Sequence, residues 1–193
     1  WSLPYNAHMW IIDASILEYP PICWSSSRKV TPLPNKSETV YGEHYMLERH
    51  IEEASLNSWP ALQQMLFDGW IMRFSNGYTK RANSITPLYP SLLPAQEKIA
   101  ACENLYRNKQ LPTIFRFPSF SSVANDLDAL LAQQGYQQVD HVLILSTELT
   151  STRTAWNSSL HNVPLAEWLA LFCQFKQASI EQHQSHHEML KRI

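Results

Sequence analysis

The chain predicts an α/β (α+β) domain, and three observations carry that prediction. Stretches with apolar residues at helical spacing alternate with short stretches of period two, and turn residues separate them. Hydrophobic residues make up 45% of the chain and aromatics 11%, a globular composition. A length of 193 residues supplies one sizeable core or two small ones.

Residues 1 to 45 contain Pro4, Pro20, Pro21, Pro32 and Pro34 with Ser25-Ser26-Ser27, and no period of 3.6 or 2 is sustained there. They are expected to form a disordered, poorly structured tail, with Met46 as a candidate natural start. From Leu47 the residues Ile51, Ala54, Trp59, Leu62 and Leu66 recur at helical intervals, and Glu48, Glu52 and Glu53 suit a helix start, where the dipole favours anions. Pro60 must kink or divide this helix. Trp70, Met72 and Phe74 then alternate with Gly69, Ile71 and Arg73, and Ser75-Asn76-Gly77 offers turn chemistry. These residues predict a hairpin over Asp68 to Asn83, its second strand running from about Tyr78 to Ile85.

Pro94 suits the first turn of a second helix reaching Lys109, with Ile99, Cys102 and Tyr106 on its apolar side. Thr113 to Phe117 alternates as a strand, and Ser121 or Ser122 caps a third helix with Leu127, Leu130 and Leu131, which Gly135 stops. The unbroken run Val142-Leu143-Ile144-Leu145 predicts a strand covered on both faces. Pro164 opens a fourth helix in which Leu165, Trp168, Leu169, Phe172 and Phe175 form one stripe, and a last helical segment starts near Ile180.

A formal net charge of -2 gives no general attraction to nucleic acid or an anionic membrane. Three widely spaced cysteines without a CxxC pair argue against a disulfide framework and a thiolate zinc site, and they favour a reducing, cytoplasmic setting. No apolar run approaches the roughly 18 residues of a membrane-spanning helix. His183, His186 and His187 share a helix face at metal-compatible spacing, yet a polar helix face is the stronger reading because no further ligands are specified. Lys80 and Arg81 with Trp70 and Tyr78 could stack and neutralise a nucleotide, but two cations on a half-exposed hairpin are thin support. Cys102 and Cys173 sit on apolar helix faces as small hydrophobes with no activating base.

A pyrophosphate loop needs glycines that expose successive backbone N–H groups at a helix N-terminus. The entry to the second helix reads Leu88-Tyr-Pro-Ser-Leu-Leu-Pro-Ala-Gln-Glu97, without glycine, with two prolines that lack N–H donors, and with Glu97 in the dipole position. This entry is not expected to hold a coenzyme pyrophosphate.

The block Ile51-Glu-Glu-Ala-Ser-Leu-Asn-Ser-Trp-Pro-Ala-Leu-Gln-Gln64, followed by Asp68-Gly-Trp70, Arg73, Gly77-Tyr-Thr-Lys-Arg-Ala-Asn-Ser84 and Pro87-Leu-Tyr-Pro90, resembles the N-terminal half of a bacterial subgroup of GNAT-superfamily N-acetyltransferases. Asn125-Asp-Leu-Asp-Ala-Leu-Leu-Ala-Gln-Gln-Gly-Tyr136 is similar to the asparagine-to-glycine-aromatic helix of that superfamily. The resemblance implies a GNAT-like mixed central sheet flanked by helices and a tandem of two units, the second carrying the Arg/Gln-x-x-Gly-x-Gly/Ala loop that cradles acetyl-CoA. This chain lacks that loop. The implied organisation is a tail over 1–45, a GNAT-like N-terminal domain over 46–150, and a linker with the first helices of a truncated C-terminal GNAT domain over 151–193.

The implied chemistry is attack of a deprotonated amine on an acetyl thioester, aided by a general base and backbone stabilisation of the oxyanion. The chain is then expected to be the N-terminal part of an acetyl-CoA-dependent N-acetyltransferase, inactive by itself and not binding acetyl-CoA alone; the alternative is a non-catalytic GNAT-like binding or dimerisation module. Implied partners are a small-molecule or peptide amine and a C-terminal GNAT domain in cis. A homodimer is compatible, whereas nucleic acid, membrane and metal are not expected. No catalytic residue is assigned. Arg73, Tyr78, Arg81 and Asn83 are the candidate substrate-binding residues, on an acceptor-side or inter-unit surface.

Overall fold

The computed structural model describes residues 5–11, 38–118, 120, 124–146 and 162–193. Its elements in chain order are β1 (Tyr5–Ile11), α1 (Glu38–Ser58), β2 (Gln63–Phe67), β3 (Trp70–Phe74), β4 (Ile85–Pro87), α2 (Ala95–Asn108), β5 (Ile114–Pro118), α3 (Ala124–Gln133), β6 (Gln137–Ile144), α4 (Leu165–Lys176) and α5 (Gln184–Leu190). The six strands form one mixed sheet in the order β2-β3-β4-β5-β1-β6. Only β4 and β5 pair in parallel, with α2 as the crossover between them; the other neighbours are antiparallel. This is the predicted α/β class, a central mixed sheet flanked by helices.

Strand β3 is covered on both faces. Every residue from Trp70 to Phe74 is buried. Trp70, Met72 and Phe74 pack with Ile99, Cys102 and Tyr106 of α2 and Leu127 and Leu131 of α3, while Ile71 clusters with Leu56 of α1 on the opposite face. The period of two therefore sends alternate residues to different helices. Phe115 and Phe117 of β5 join the α2–α3 core, which leaves Arg116 on the α1 side against Glu52.

Several expectations hold and several are corrected. α2, α3 and α4 fall where predicted, and Gly135 after α3 has φ 85°, the left-handed geometry that a helix stop favours. Cys102 and Cys173 are buried as expected. The first helix ends at Ser58, just before Pro60, so Leu62 and Leu66 are not on it; residues 63–67 are a strand instead. Its inward face carries Glu52 and Leu56, whereas Ala54 is exposed. Glu52 lies well inside a helix that begins at Glu38 and is not a first-turn acid.

The hairpin is displaced by one turn. Phe67 pairs with Trp70 around Asp68-Gly69, whose φ values of 41° and 81° give a tight two-residue connection. Asn76-Gly77 also has left-handed φ values, 53° and 76°, but opens a loop and not a direct return strand. The cause is Asn83: its Oδ1 accepts the Ser75 and Gly77 N–H groups at 2.7 and 3.0 Å, taking donors that a cross-strand ladder would use. Residues Lys80–Ala82 form a 3-10 turn, and the return strand β4 is limited to Ile85–Pro87.

Two parts of the stretch expected to be tail are regular. Tyr5–Ile11 is a strand inserted between β5 and β6, and α1 starts at Glu38, so the boundary placed at residue 45 falls inside a helix. Tyr5, Ala7, Met9 and Ile11 alternate with Asn6, His8 and Trp10, a local strand signal outweighed by the prolines and serines that follow it; its partners β5 and β6 are more than a hundred residues away. The other residues of that stretch, and all of the polar stretch 150–159, lie outside the described residues. Strand β6 is an edge strand, and Val142, Leu143 and Leu145 are 43%, 54% and 74% exposed, which corrects the expectation of cover on both faces.

Gly69 tests the displaced hairpin. Its carbonyl accepts the Leu88 and Tyr89 N–H groups at 3.3 and 3.0 Å, and an added Cβ would run into the carbonyl oxygens of Tyr89 and Pro90. Gly69→Ala is expected to cost about 1–3 kcal/mol from the left-handed backbone alone, with the clash adding to it. A urea unfolding midpoint unchanged by the substitution would contradict this.

Candidate functional site

The loop over residues 75–84 leaves β3, folds on itself and meets both the end of α1 and the C-terminal helices. Besides its two bonds to Asn83 Oδ1, the loop is tied by Asn83 Nδ2, which donates to the Thr79 carbonyl at 2.8 Å. Thr79 Oγ1 accepts from Ala82 N–H and from the Trp59 indole N–H, at 3.4 and 3.3 Å. Ser75 Oγ accepts the Leu62 N–H at 3.0 Å, and Ser84 Oγ donates to the Arg81 carbonyl at 3.2 Å. Such a loop is fixed by its own polar side chains, the usual use of Ser, Thr and Asn in turns.

The four candidate residues separate into two pairs. Arg73 is fully buried, and its guanidinium donates to the carbonyls of Leu56 (3.2 Å), Trp59 and Arg81 (3.1 Å). A cation on the last carbonyls of α1 satisfies acceptors that the helix leaves open and complements its dipole. Asn83 is 2% exposed and committed to the loop. Arg73 and Asn83 thus build the platform. Tyr78 and Arg81 stand on it: Tyr78 is half-buried with its hydroxyl 2.8 Å from His183 Nδ1, and Arg81 is exposed with its guanidinium carbon 5.6 Å from the Trp59 ring centre. Lys80, the neighbouring cation, is ion-paired with Asp140 of β6 at 2.9 Å.

His186 occupies the middle of an aromatic box. Its ring lies 5.0 Å from Trp59, 5.2 Å from Tyr78 in stacked geometry, 5.5 Å from Trp168 and 5.1 Å from Phe172. Burial, with His183 nearby, holds its pKa below the ordinary histidine value. The three histidines singled out as a polar helix face therefore differ: His186 is buried core, His183 a hydrogen-bonding partner of Tyr78, and His187 half-buried on α5. Among the described residues, no group of three or more His, Cys, Asp or Glu side chains is placed to hold a metal ion. Burial raises the Cys102 thiol to about 12, which leaves it protonated and unreactive.

Sequence reasoning missed the charges beneath the loop. Arg116 makes a two-pronged ion pair with Glu52, one prong 3.1 Å long, and both side chains are buried. Burial first, then Arg116 and Arg81, bring Arg73 down to about 10, and Arg81 is lowered by burial and Arg116. Arg73 and Arg116 are thus buried beneath the exposed Arg81, whose carbonyl Arg73 bonds. Arg116 carried a signal in the sequence, a lone charge in the buried strand Ile114-Phe-Arg-Phe117; Glu52 was masked by its neighbours Glu48 and Glu53.

A second polar constellation sits where β4 passes into α2. The Asp68 carboxylate accepts the Leu92 N–H (3.1 Å), the Leu93 N–H (2.9 Å) and the Ser91 hydroxyl (2.7 Å), and lies 3.2 Å from the buried Lys98 Nζ. Lys98 also donates to the Asp68 carbonyl and stands 4.1 Å from the centre of the Trp70 ring. These bonds, led by the Leu93 N–H, hold the Asp68 carboxyl well below the usual carboxylate range. A carboxyl depressed in the folded state stabilises the fold above its unfolded pKa of about 4, and this contribution is lost as pH falls through the folded value. Asp68→Asn, which keeps a residue tolerant of left-handed φ, is expected to flatten the acid limb of the stability profile below about pH 4. Unfolding midpoints measured from pH 6 downward check this; an unaltered slope would contradict it.

An open cleft of about 560 Å³ lies between β2, the end of α2 and α5, lined among others by Gln63, Phe74, Lys109 and Arg192. Arg192 donates to the Leu62 carbonyl at 2.6 Å and Asn76 to Ser185 Oγ at 3.3 Å, so α5 is bonded to the hairpin on either side of it. No helix among the described residues is long and apolar enough to cross a membrane.

The sheet, its parallel crossover and the polar loop can be set beside known proteins. The model of the family described as "Probable histone acetyltransferase Rv0428c C-terminal" matches residues 48–188. Over 151 residues the chain is 29% identical to "Uncharacterized N-acetyltransferase YobR" of Bacillus subtilis (strain 168), covering 75% of this chain and 60% of that protein. Over 74 residues it is 28% identical to "Probable histone acetyltransferase Rv0428c" of Mycobacterium tuberculosis (strain ATCC 25618 / H37Rv), covering 38% of this chain and 22% of that protein. The chain thus spans less than two thirds of either relative. No solved structure matches it significantly. Mixed sheet, crossover and matches together place the chain in the GNAT-type acetyltransferase class. Within that class, the chain belongs to the family of the Rv0428c C-terminal region.

The class implies an acyl-CoA co-substrate, and the β4–α2 crossover does not fit its pyrophosphate. The Leu92 and Leu93 N–H groups are taken by Asp68, and Pro90 and Pro94 have none to offer. An internal carboxylate already fills the place of the anion.

Proposed function

We propose that this chain is the acceptor-side, N-terminal part of an acetyl-CoA-dependent N-acetyltransferase that transfers an acetyl group to an amine on a small molecule or peptide. The observation that carries the reading is the Asp68 carboxylate seated on the Leu92 and Leu93 N–H groups, inside a chain of an acetyltransferase family. A unit closed to pyrophosphate in this way contributes shape and acceptor contacts, and a separate GNAT unit in cis supplies the coenzyme loop. Residues 162–193, bonded to the hairpin through Asn76, Tyr78 and Leu62, are the joint between the two.

Calorimetric titration of the 193-residue chain with acetyl-CoA is expected to give no saturable heat in the micromolar range. Clear micromolar binding would overturn the claim that the coenzyme is held elsewhere. In the longer protein, Arg81→Gln is expected to raise the acceptor KM while acetyl-CoA affinity stays constant; the reverse pattern would put this loop on the coenzyme side.

A further inference from the structure

Arg81 is the one member of the buried arginine cluster that reaches solvent, and its surroundings prepare it for a ligand. Its backbone carbonyl is held from two sides, by Arg73 Nη1 and Ser84 Oγ, so the side chain leaves a rigid base. The Trp59 ring beneath the guanidinium is fixed in turn, by its indole bond to Thr79 on one side and contact with His186 on the other. Stacking over an aromatic face orients the planar guanidinium without consuming its N–H donors. Among the described residues, nothing accepts a hydrogen bond from that guanidinium and no carboxylate pairs with it. Lys80, one residue earlier, is by contrast engaged by Asp140.

Among the described residues, the charge beneath Arg81 is only partly compensated. Glu52, the carboxylate that acts on both Arg73 and Arg81, is gripped by Arg116 through both oxygens. Three guanidinium charges less one carboxylate leave two, of which the C-terminal carbonyls of α1 offset only a part through Arg73. Arg73 spends its terminal nitrogens on carbonyls, and its buried Nε has no partner among the described residues. It therefore adds field and no donors, while Arg81 offers free donors at the edge of that field.

We infer that Arg81, oriented by Trp59 and backed by Arg73 and Arg116, is a receptor for an anionic group, a carboxylate or a phosphate monoester, carried by the acceptor. This rests on the acceptor-side reading of the loop and narrows it: the substrate class is an amine that also bears a planar or tetrahedral oxyanion, which a guanidinium fork binds through two parallel hydrogen bonds. Neutralising the surplus charge is what makes the anion favourable there, so a neutral isostere of the same acceptor is a poor ligand.

The test titrates the isotopically labelled 193-residue chain with inorganic phosphate and, separately, with succinate at fixed ionic strength, following the Trp59 indole N–H resonance. Saturable shifts are expected for at least one probe, and the stronger of the two identifies the oxyanion. Arg81→Gln is expected to weaken binding at least tenfold and Arg81→Lys to fall between, because a single ammonium cannot make the paired bonds. Arg107→Gln, at an exposed position on α2, is the control and keeps the wild-type response. No saturable shift with either probe, an Arg81→Gln response equal to wild type, or an equal loss in Arg107→Gln would overturn the inference. The titration contains no acetyl donor and reads no transfer, so a failure here leaves the acetyltransferase reading standing, and a failed acetyl-transfer assay leaves the anion result standing.

Discussion

Glu52→Ala is expected to destabilise the fold by about 3–5 kcal/mol, the largest effect of any single substitution away from the apolar core. Removing the carboxylate leaves Arg116 buried without its partner and takes away the charge that offsets Arg73 and Arg81. A buried ion pair costs desolvation on both sides, so the pair itself adds little net stability, but half of it is far worse than none. The double variant Glu52→Leu with Arg116→Met is accordingly expected to be more stable than Glu52→Ala alone. Urea unfolding of the three proteins checks this, and a cost below about 1 kcal/mol for Glu52→Ala would show that the arginine cluster is screened by water.

Arg73→Ala is expected to cost about 1.5–3 kcal/mol, the range for charge-assisted hydrogen bonds whose buried acceptors are left unpaired. The Leu56, Trp59 and Arg81 carbonyls all lose their donor, and the end of α1 loses its tie to the sheet. Arg81→Ala, by contrast, gives up a stacking contact at an exposed site, worth about 0.5–1 kcal/mol. The contrast between two arginines eight residues apart is the measurement that matters. Equal costs would mean that Arg81 is part of the scaffold, and that kinetic changes on its substitution report stability. If the costs differ as expected, Arg81 is a position at which acceptor kinetics can be read without unfolding the loop, whereas Arg73 is not.

Much of the fold was legible because its signals are local. α2 and α3 each carry an apolar stripe and a stop, and Trp70, Met72 and Phe74 alternate as a strand with unlike faces must. Where two local signals competed, pairing chose. Asp68-Gly69 and Asn76-Gly77 are both turn dipeptides with left-handed backbones, and nothing within either distinguishes them. Asn83 distinguishes them in the structure, by capturing the Ser75 and Gly77 N–H groups from eight and six residues away. The same holds for Gln63–Phe67: its residues continue a helical spacing, but Pro60 cuts the helix and the Asp-Gly turn delivers the segment to the edge of β3.

The candidate site was half legible. The sequence put Arg73, Tyr78, Arg81 and Asn83 on one ribbon, and the structure keeps them in one segment but on a loop with a 3-10 turn. The division of labour among them was not legible, since burial of Arg73 depends on α1 crossing that face, and exposure of Arg81 on a 3-10 turn lifting it away. The glycine-free, proline-bearing entry to α2 was readable directly. That a carboxylate from the preceding hairpin sits on the remaining donors was not, because Leu92 and Leu93 lie more than twenty residues from Asp68.

The sequence by itself determined the α/β class, the helices and strands with a sustained period, the glycine-free entry to α2 and the resemblance to acetyltransferases, all of which depend on residue type over short windows. Tertiary structure alone decided which turn makes the hairpin, the insertion of β1 between β5 and β6, and the pairing of Glu52 with Arg116. These depend on which distant group satisfies a given donor, acceptor or charge, and a buried polar group takes its partner from wherever the packed chain brings one.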